Sequence, residues 1–382
     1  MLQVFFDGTG KLHVEDVPAP VCSSERVLVR VQSSVISAGT EAASLAGGGS
    51  LLRQALRRPD LVQRTLKYAA QQPEFRFTQY HNQTAESSLH RRISEMWAAV
   101  QKETKGRVAA DVFPLNNKVQ GSDPAALKML MAGEIQFFTL MGGVLSNAVP
   151  AGDVQQIPFV FTSAPHAHRA MDGALGAYIR EEMAAKGIHG FPVGAFDNGI
   201  RQMTLVNRPI AVPADLEGIR MRVPDGQLFQ DLFRTLGAEP IVINSIDIYS
   251  ALKSGKADAQ ENPLALLEGF KLYEVVKYVS MTNHMWSGFN QMAHLPTWQK
   301  LPADVRTIID RNVTRAVRLQ RADQEAANGR LRAELTKRGL IFNDVDQAPF
   351  RKALTGFYAT WKAKLGTKTW SLLEQATGTR LA

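Results

Sequence analysis

The chain has 382 residues, 45% of them hydrophobic and 21% charged, with a formal net charge of +8 at pH 7; this is a globular composition on a length that calls for more than one folding unit. No apolar run approaches the roughly 18 residues of a membrane span, and the single cysteine, Cys22, excludes a disulfide framework or a cysteine-rich zinc site. Basic residues stand singly or in pairs with acids between them, without the run that tracks a phosphate backbone, so no nucleic-acid partner is expected.

In chain order the predicted elements fall into two unlike pieces. Residues 2–6 (LQVFF) and 27–31 (VLVRV) read as short strands, separated by turns at Asp7-Gly8 and Pro18-Ala19-Pro20. No apolar core follows a basic start, so no signal peptide is visible. A break at Gly47-Gly48-Gly49-Ser50 precedes a basic helical stretch over 51–70. From Phe75 the pattern changes. Residues 75–78 predict a strand, and Asn82-Gln83-Thr84 a loop able to cap a helix from near Glu86. That helix carries Leu89, Ile93, Met96, Trp97 and Val100 at helical spacing. A strand over 107–113, a helix over 124–132 and a strand over 135–140 follow. Such alternation implies a mostly parallel sheet with helices on both faces. Asp197-Asn198-Gly199 reads as a turn. Residues 302–339 read as one long charged helix or two abutting ones, with Pro302 and Asp304 at its start.

The first piece resembles the opening of the GroES-like domain of zinc-type alcohol dehydrogenases and two-domain oxidoreductases. The residues that carry the likeness are Val17-Pro18-Ala19-Pro20, Val27-Leu28-Val29-Arg30-Val31, Val35 to Glu41 and Arg58-Pro59-Asp60-Leu61-Val62. Relatives place a cysteine ligand where Ala38 stands, and no Gly-x-Gly-x-x-Gly follows a strand anywhere in the chain. Residues 1–70 therefore read as a truncated, β-rich fragment with a linker, in the place of a signal peptide.

Residues 71–382 resemble the extracytoplasmic solute-binding proteins of TRAP transporters. The landmarks run in order: Trp97, Thr104-Lys105-Gly106-Arg107-Val108, Gly133-Glu134-Ile135-Gln136, Ile157-Pro158-Phe159, Gly199-Ile200-Arg201-Gln202, Arg220-Met221-Arg222-Val223-Pro224, Gln260-Glu261-Asn262-Pro263 and Thr282-Asn283-His284. The resemblance implies an α/β periplasmic-binding-protein-like clamp of two lobes with a hinge and a long lobe-spanning helix. Lobe one is expected over about 72–200 with part of 288–382, and lobe two over about 201–287 with part of the C-terminal region. It also implies a periplasmic, non-enzymatic receptor that captures a small organic carboxylate and delivers it to TRAP permease subunits, with no cofactor or metal. The alternatives are a partial oxidoreductase fusion, suggested by the first 70 residues, and a cytoplasmic carboxylate sensor on the same clamp.

Arginine presents a rigid two-pronged donor that matches a carboxylate. The resemblance assigns that contact to Arg222, with Arg201 as a second arginine; strand periodicity alone does not separate Arg222 from Arg220. Asn262, held extended by Pro263, offers an amide able to donate and accept. His81 and Asn82 sit in the first strand-to-helix loop, a usual ligand position in such sheets. Trp286 and Phe289 are expected to line the cleft, and Met141 to form a wall made roomy by Gly142 and Gly143. Together these predict an apolar, partly aromatic pocket suited to an aromatic or branched-chain 2-oxo or 2-hydroxy acid stacked on Trp286, or a C4-dicarboxylate if both aromatics face the core.

Overall fold

The computed structural model describes residues 2–6, 12–16, 73–119 and 123–381. The chain divides into two compact units, Met1–Gln72 and Pro73–Ala382. In the first, β1 (Leu2–Phe6) and β2 (Leu12–Asp16) pair antiparallel, with Leu2 opposite Asp16. The strand expected over 27–31, the helix expected over 51–70 and all the residues that carry the GroES-like resemblance lie outside the described residues.

The second unit runs β3 (Phe75–His81), α1 (Ser88–Glu103), β4 (Val108–Phe113), α2 (Asp123–Ala132), β5 (Phe137–Met141), α3 (Ala164–Asp172), α4 (Ala174–Ala184), β6 (Ile188–Leu205), β7 (Arg220–Val223), α5 (Gln227–Thr235), β8 (Glu239–Val242), β9 (Ala259–Asn262), α6 (Leu264–Gly269), β10 (Tyr278–His294), α7 (Ala303–Lys337), β11 (Ile341–Asp344) and α8 (Thr355–Thr377), joined by shorter helical turns. Helix α1 buries Leu89, Ile93, Met96, Trp97 and Val100, the stripe its spacing predicts. Its N-cap is Ser87, whose hydroxyl accepts from the His90 amide. The 82–84 loop, expected to cap the helix, is thereby free to face elsewhere.

The sheet is mixed rather than mostly parallel. One parallel set has the order β4-β3-β5 and a second has the order β9-β7-β8. Between them lie β10 and β6, antiparallel to each other, with β10 antiparallel to β5 and β6 antiparallel to β9. These two strands have 17 and 18 residues, a reach of roughly 60 Å at about 3.3 Å per residue. Each carries the chain from one set to the other, which makes a two-lobed clamp with a pair of crossing strands. Asp197-Asn198-Gly199 is no turn but a bulge inside β6. Ser287 and Gly288 of β10 pair with Gly199 and Asp197, which leaves Asn198 without an opposite residue. Gly199 takes φ +100°, open to glycine and costly for a side chain.

Helix α7 has 35 residues, about 50 Å of rise. At its middle Gln320 clasps the bulge, accepting from the Asp197 amide at 2.8 Å and donating to its carbonyl at 2.6 Å. Arg92 of α1 donates to both Asp323 oxygens at 2.7 and 2.9 Å. Further along, Leu331 and Leu335 are buried with Leu264, Leu267 and Leu272 beside the second set. The helix thus spans both sets, with Pro302 at its N-cap and Asp304 in its first turn.

One buried carboxyl makes a pH-dependent contribution. In the turn Pro150–Gln156, burial pushes the Asp153 carboxyl up to about 7, and its Oδ1 has no hydrogen-bond partner. The folded state therefore holds the proton more tightly than the unfolded chain, whose aspartates titrate near 3.9. No cost arises below that pH; it grows as pH climbs towards 7 and is complete above, on the order of 4 kcal/mol. Asp153→Asn is expected to raise the calorimetric melting temperature at pH 8 and to leave it nearly unchanged at pH 4. An equal gain at both pH values would contradict the burial argument.

Candidate functional site

The C-terminal ends of β3, β5, β7 and β9 converge with the bulge of β6 on one small cavity of about 30 Å³. Its lining is Asn82, Gln83, Asp123, Met141, Asn198, Arg201, Arg222, Pro224, Ser245, Asn262, Leu266 and Phe289. Such strand ends are where open α/β sheets place ligands, because the backbone there is not consumed by sheet pairing. Gln83, Asn198, Leu266 and Phe289 also line a neighbouring open cleft of about 600 Å³.

Arg220 and Arg222 are separated by what surrounds them. Arg220 is partly exposed and its guanidinium donates to both Asp258 oxygens, at 2.9 and 2.6 Å. Arg222 is buried, with 3% of its surface exposed. Its Nε donates to the Ile243 carbonyl at 2.8 Å. Among the described residues it forms no ion pair, and its two terminal nitrogens make no hydrogen bond. Burial pulls its guanidinium down to about 9, partly offset by Glu261 and Asp123 and reinforced by Arg201. A buried cation without a paired anion is an unfavourable state that an incoming carboxylate relieves.

Arg201 is in the opposite condition. Its Nε pairs with Glu261 Oε2, its Nη2 with Oε1 at 2.6 Å and with the Glu261 carbonyl at 2.7 Å. Its Nη1 reaches Ser287 Oγ at 3.2 Å and Met141 Sδ at 3.6 Å. Burial alone would push the Glu261 carboxyl up; Arg201 beside it and the His284 bond at 3.2 Å hold it below the usual carboxylate range. Asp123, at the start of α2, accepts from Asn82 and Asn116, each at 2.7 Å. Burial nevertheless raises its carboxyl above the usual range. The site therefore holds one guanidinium already neutralised and one that is not.

Of the residues singled out in the sequence, Arg222, Arg201, Asn262, Asn82, Phe289 and Met141 lie together around the cavity. Asn262 donates to Gln260 Oε1 at 2.6 Å, and Met141 pairs in register with Phe289. His81 and Trp286 are not at the cavity. His81 points from β3 to His90, 3.0 Å between ring nitrogens, and burial pulls its imidazole down to about 3, so it stays neutral. Trp286 donates from Nε1 to Asp197 at 2.9 Å and packs edge-on to Phe161 and His168. The cause is strand alternation: residues three apart face opposite ways, so Ser287 and Phe289 share the cavity face and Trp286 the core face. The space beside Gly142 and Gly143 is not a roomy wall either, because the Gln155 side chain fills the first and the Phe229 ring the second. The pocket expected to be apolar and aromatic is mostly polar: eight of its twelve lining residues have polar side chains.

Sequence reasoning missed Gln83, Asp123, Asn198, Ser245 and Glu261. Asp123 left a signal, an acid at the start of a predicted helix, which reads equally well as a helix-dipole residue. Glu261 lies within the Gln260-Glu261-Asn262-Pro263 landmark, but only the fold brings it to Arg201.

The family model of the bacterial extracellular solute-binding proteins, family 7 (DctP), matches residues 80–364. The chain belongs to this family. A relative, a solute-binding protein of Roseobacter denitrificans, is 32% identical over 250 residues, 65% of this chain and 75% of the relative. The solved structure of that relative, a TRAP periplasmic solute-binding protein with bound L-galactonate, covers 80% of this chain and 99% of its own at 26% identity and a TM-score of 0.72. A second Roseobacter denitrificans TRAP periplasmic solute-binding protein, with bound β-D-glucuronate, aligns at 25% identity and a TM-score of 0.76, over 80% of this chain and 100% of that one. The family match, residues 80–364, falls within the second unit. Among the described residues no helix is long and apolar enough to cross a membrane.

Proposed function

We propose that this family 7 protein is a periplasmic receptor for a polyhydroxylated monocarboxylate, of the aldonate or uronate class, which it hands to the membrane permease subunits of a TRAP transporter. The observation that carries this reading is Arg222, buried at the cavity with its two-pronged end unpaired while Arg201 is held by Glu261. One uncompensated cation suits one carboxylate. The second carboxylate of a C4-diacid would meet Asp123 and no second free cation among the cavity's lining residues. Asn82, Gln83, Asn198, Ser245 and Asn262 supply amides and a hydroxyl that replace the water lost by ligand hydroxyls. The 30 Å³ cavity accommodates the carboxylate end, and the 600 Å³ cleft sharing its walls takes the remaining carbons. The relatives with L-galactonate and β-D-glucuronate support the same class.

A melting-shift and calorimetric series with L-galactonate, D-glucuronate, malate, 2-oxoisovalerate, benzoylformate and sialic acid tests this. Ligand at a hundred times its Kd stabilises by about 2.7 kcal/mol, so a true ligand stands out. The largest shift is expected from a six-carbon sugar acid. A preference for benzoylformate would restore the apolar reading, and a preference for malate would defeat the single-charge argument.

A further inference from the structure

The two parallel sets touch at a seam of glycines beside the ligand cavity. Gly143 follows β5 of the first set; Gly226 follows β7 of the second and leads into α5. A Cβ on Gly226 would lie 2.7 Å from the Gly143 carbonyl oxygen, and one on Gly143 would overlap the Phe229 ring. Gly226 is extended (φ −178°), a conformation open to any residue, so space and not backbone freedom demands glycine there. Phe229 is fully buried, and its ring faces the Arg201 guanidinium at 5.3 Å. Two residues further along α5, Asp231 pairs with Lys364 of α8 at 2.8 Å. Helix α8 packs on the 150–156 turn and on α3 and α4, beside the first set.

We infer that this seam fixes how far the clamp closes: Gly143 and Gly226 admit α5 to backbone contact with the first lobe, Phe229 carries that seating to Arg201, and the Asp231–Lys364 pair latches it. Gly143, Gly226, Phe229, Asp231 and Lys364 are positioning residues, since none of them lines the ligand cavity. Contacts made only in the closed state shift the open–closed equilibrium and so enter the apparent affinity of any ligand that needs closure. A methyl group against a backbone oxygen has nowhere to go, whereas the open form has no neighbour there to object.

The inference rests on the clamp reading above, and the test separates the two. The full chain carries Cys22→Ser with spin labels at Lys128→Cys and Lys256→Cys, exposed positions on the two sides. The label distance and the affinity for L-galactonate are read with and without Gly226→Ala. In the wild-type background L-galactonate is expected to shorten the distance. With Gly226→Ala the chain is expected to melt as the wild type does, to shorten incompletely and to bind at least about tenfold more weakly. Lys364→Met, which removes a partly exposed ion pair, is expected to cost about two- to threefold. Full shortening with unchanged affinity in Gly226→Ala would overturn the seam. Should that variant fail to fold, Gly143→Ala, opposed only by a ring that can turn, reads the same two quantities. If L-galactonate does not bind the wild type, the ligand assignment alone fails, and the acid giving the largest melting shift replaces it in the same measurement.

Discussion

Arg222→Ala is expected to abolish sugar-acid binding, a loss of about 2–5 kcal/mol or roughly 30- to several-thousand-fold in Kd. The ligand-free protein should not lose stability with it. Arg222 is buried with a single hydrogen bond, and burial has already drawn its guanidinium down to about 9; its removal relieves a desolvated charge. Arg222→Met, which keeps the volume, should melt at or above the wild-type temperature without ligand. Arg222→Lys should bind poorly, because an ammonium cannot reproduce the two parallel donors of a guanidinium. Calorimetric titration with L-galactonate, paired with ligand-free melting, checks both halves. Near-normal affinity in Arg222→Ala would remove the ligand assignment. A large drop in ligand-free melting temperature would show that Arg222 holds the fold.

Glu261→Gln should have the reverse signature. Glu261 is completely buried and takes three bonds from Arg201 through its carboxylate and carbonyl oxygens, with His284 at 3.2 Å on one carboxylate oxygen. Neutralising it strands a guanidinium with 1% exposure. Breaking such a pair by removing one partner costs about 3–5 kcal/mol, whereas replacing both partners with apolar residues of like volume costs far less. The expected result is a melting temperature lower by on the order of 10 °C for Glu261→Gln, with much of the loss recovered in the double variant Arg201→Met/Glu261→Leu. Equal losses in the single and double variants would show that Arg201 and Glu261 do not act as a pair.

The contrast between the two arginines explains how far the sequence reaches. Arg222 and Arg201 are both legible as candidates, since each stands in a recognisable landmark. Nothing local reveals that one is neutralised, because its partner, Glu261, lies 60 residues away and meets it only where β6 and β9 pair, Gln202 opposite Asn262 and Met203 opposite Glu261. Arg220 is separated from Arg222 in the same way, by Asp258 38 residues on.

Element type was largely a local matter. The stripe Leu89, Ile93, Met96, Trp97 and Val100 gave α1, and the charged run from Pro302 gave α7, because hydrophobic period and end signals act within a few residues. The alternation that places Trp286 and Phe289 on opposite faces was also present in the sequence, provided that Tyr278–His294 was read as one strand. What local pattern did not contain was length and company: β6 runs unbroken through Asp197-Asn198-Gly199 because β10 and α7 supply hydrogen bonds that hold a bulge where an isolated chain would turn. Likewise Gly142 and Gly143 suggest empty space in the sequence, and only packing decides that Gln155 and Phe229 fill it. The sequence by itself therefore determined the family, the elements at the two ends of the second unit and six of the twelve residues that line the cavity. The tertiary structure decided the charge balance and polarity of the pocket, since these depend on which distant groups share a buried volume, where an unpaired charge or an added methyl is most costly.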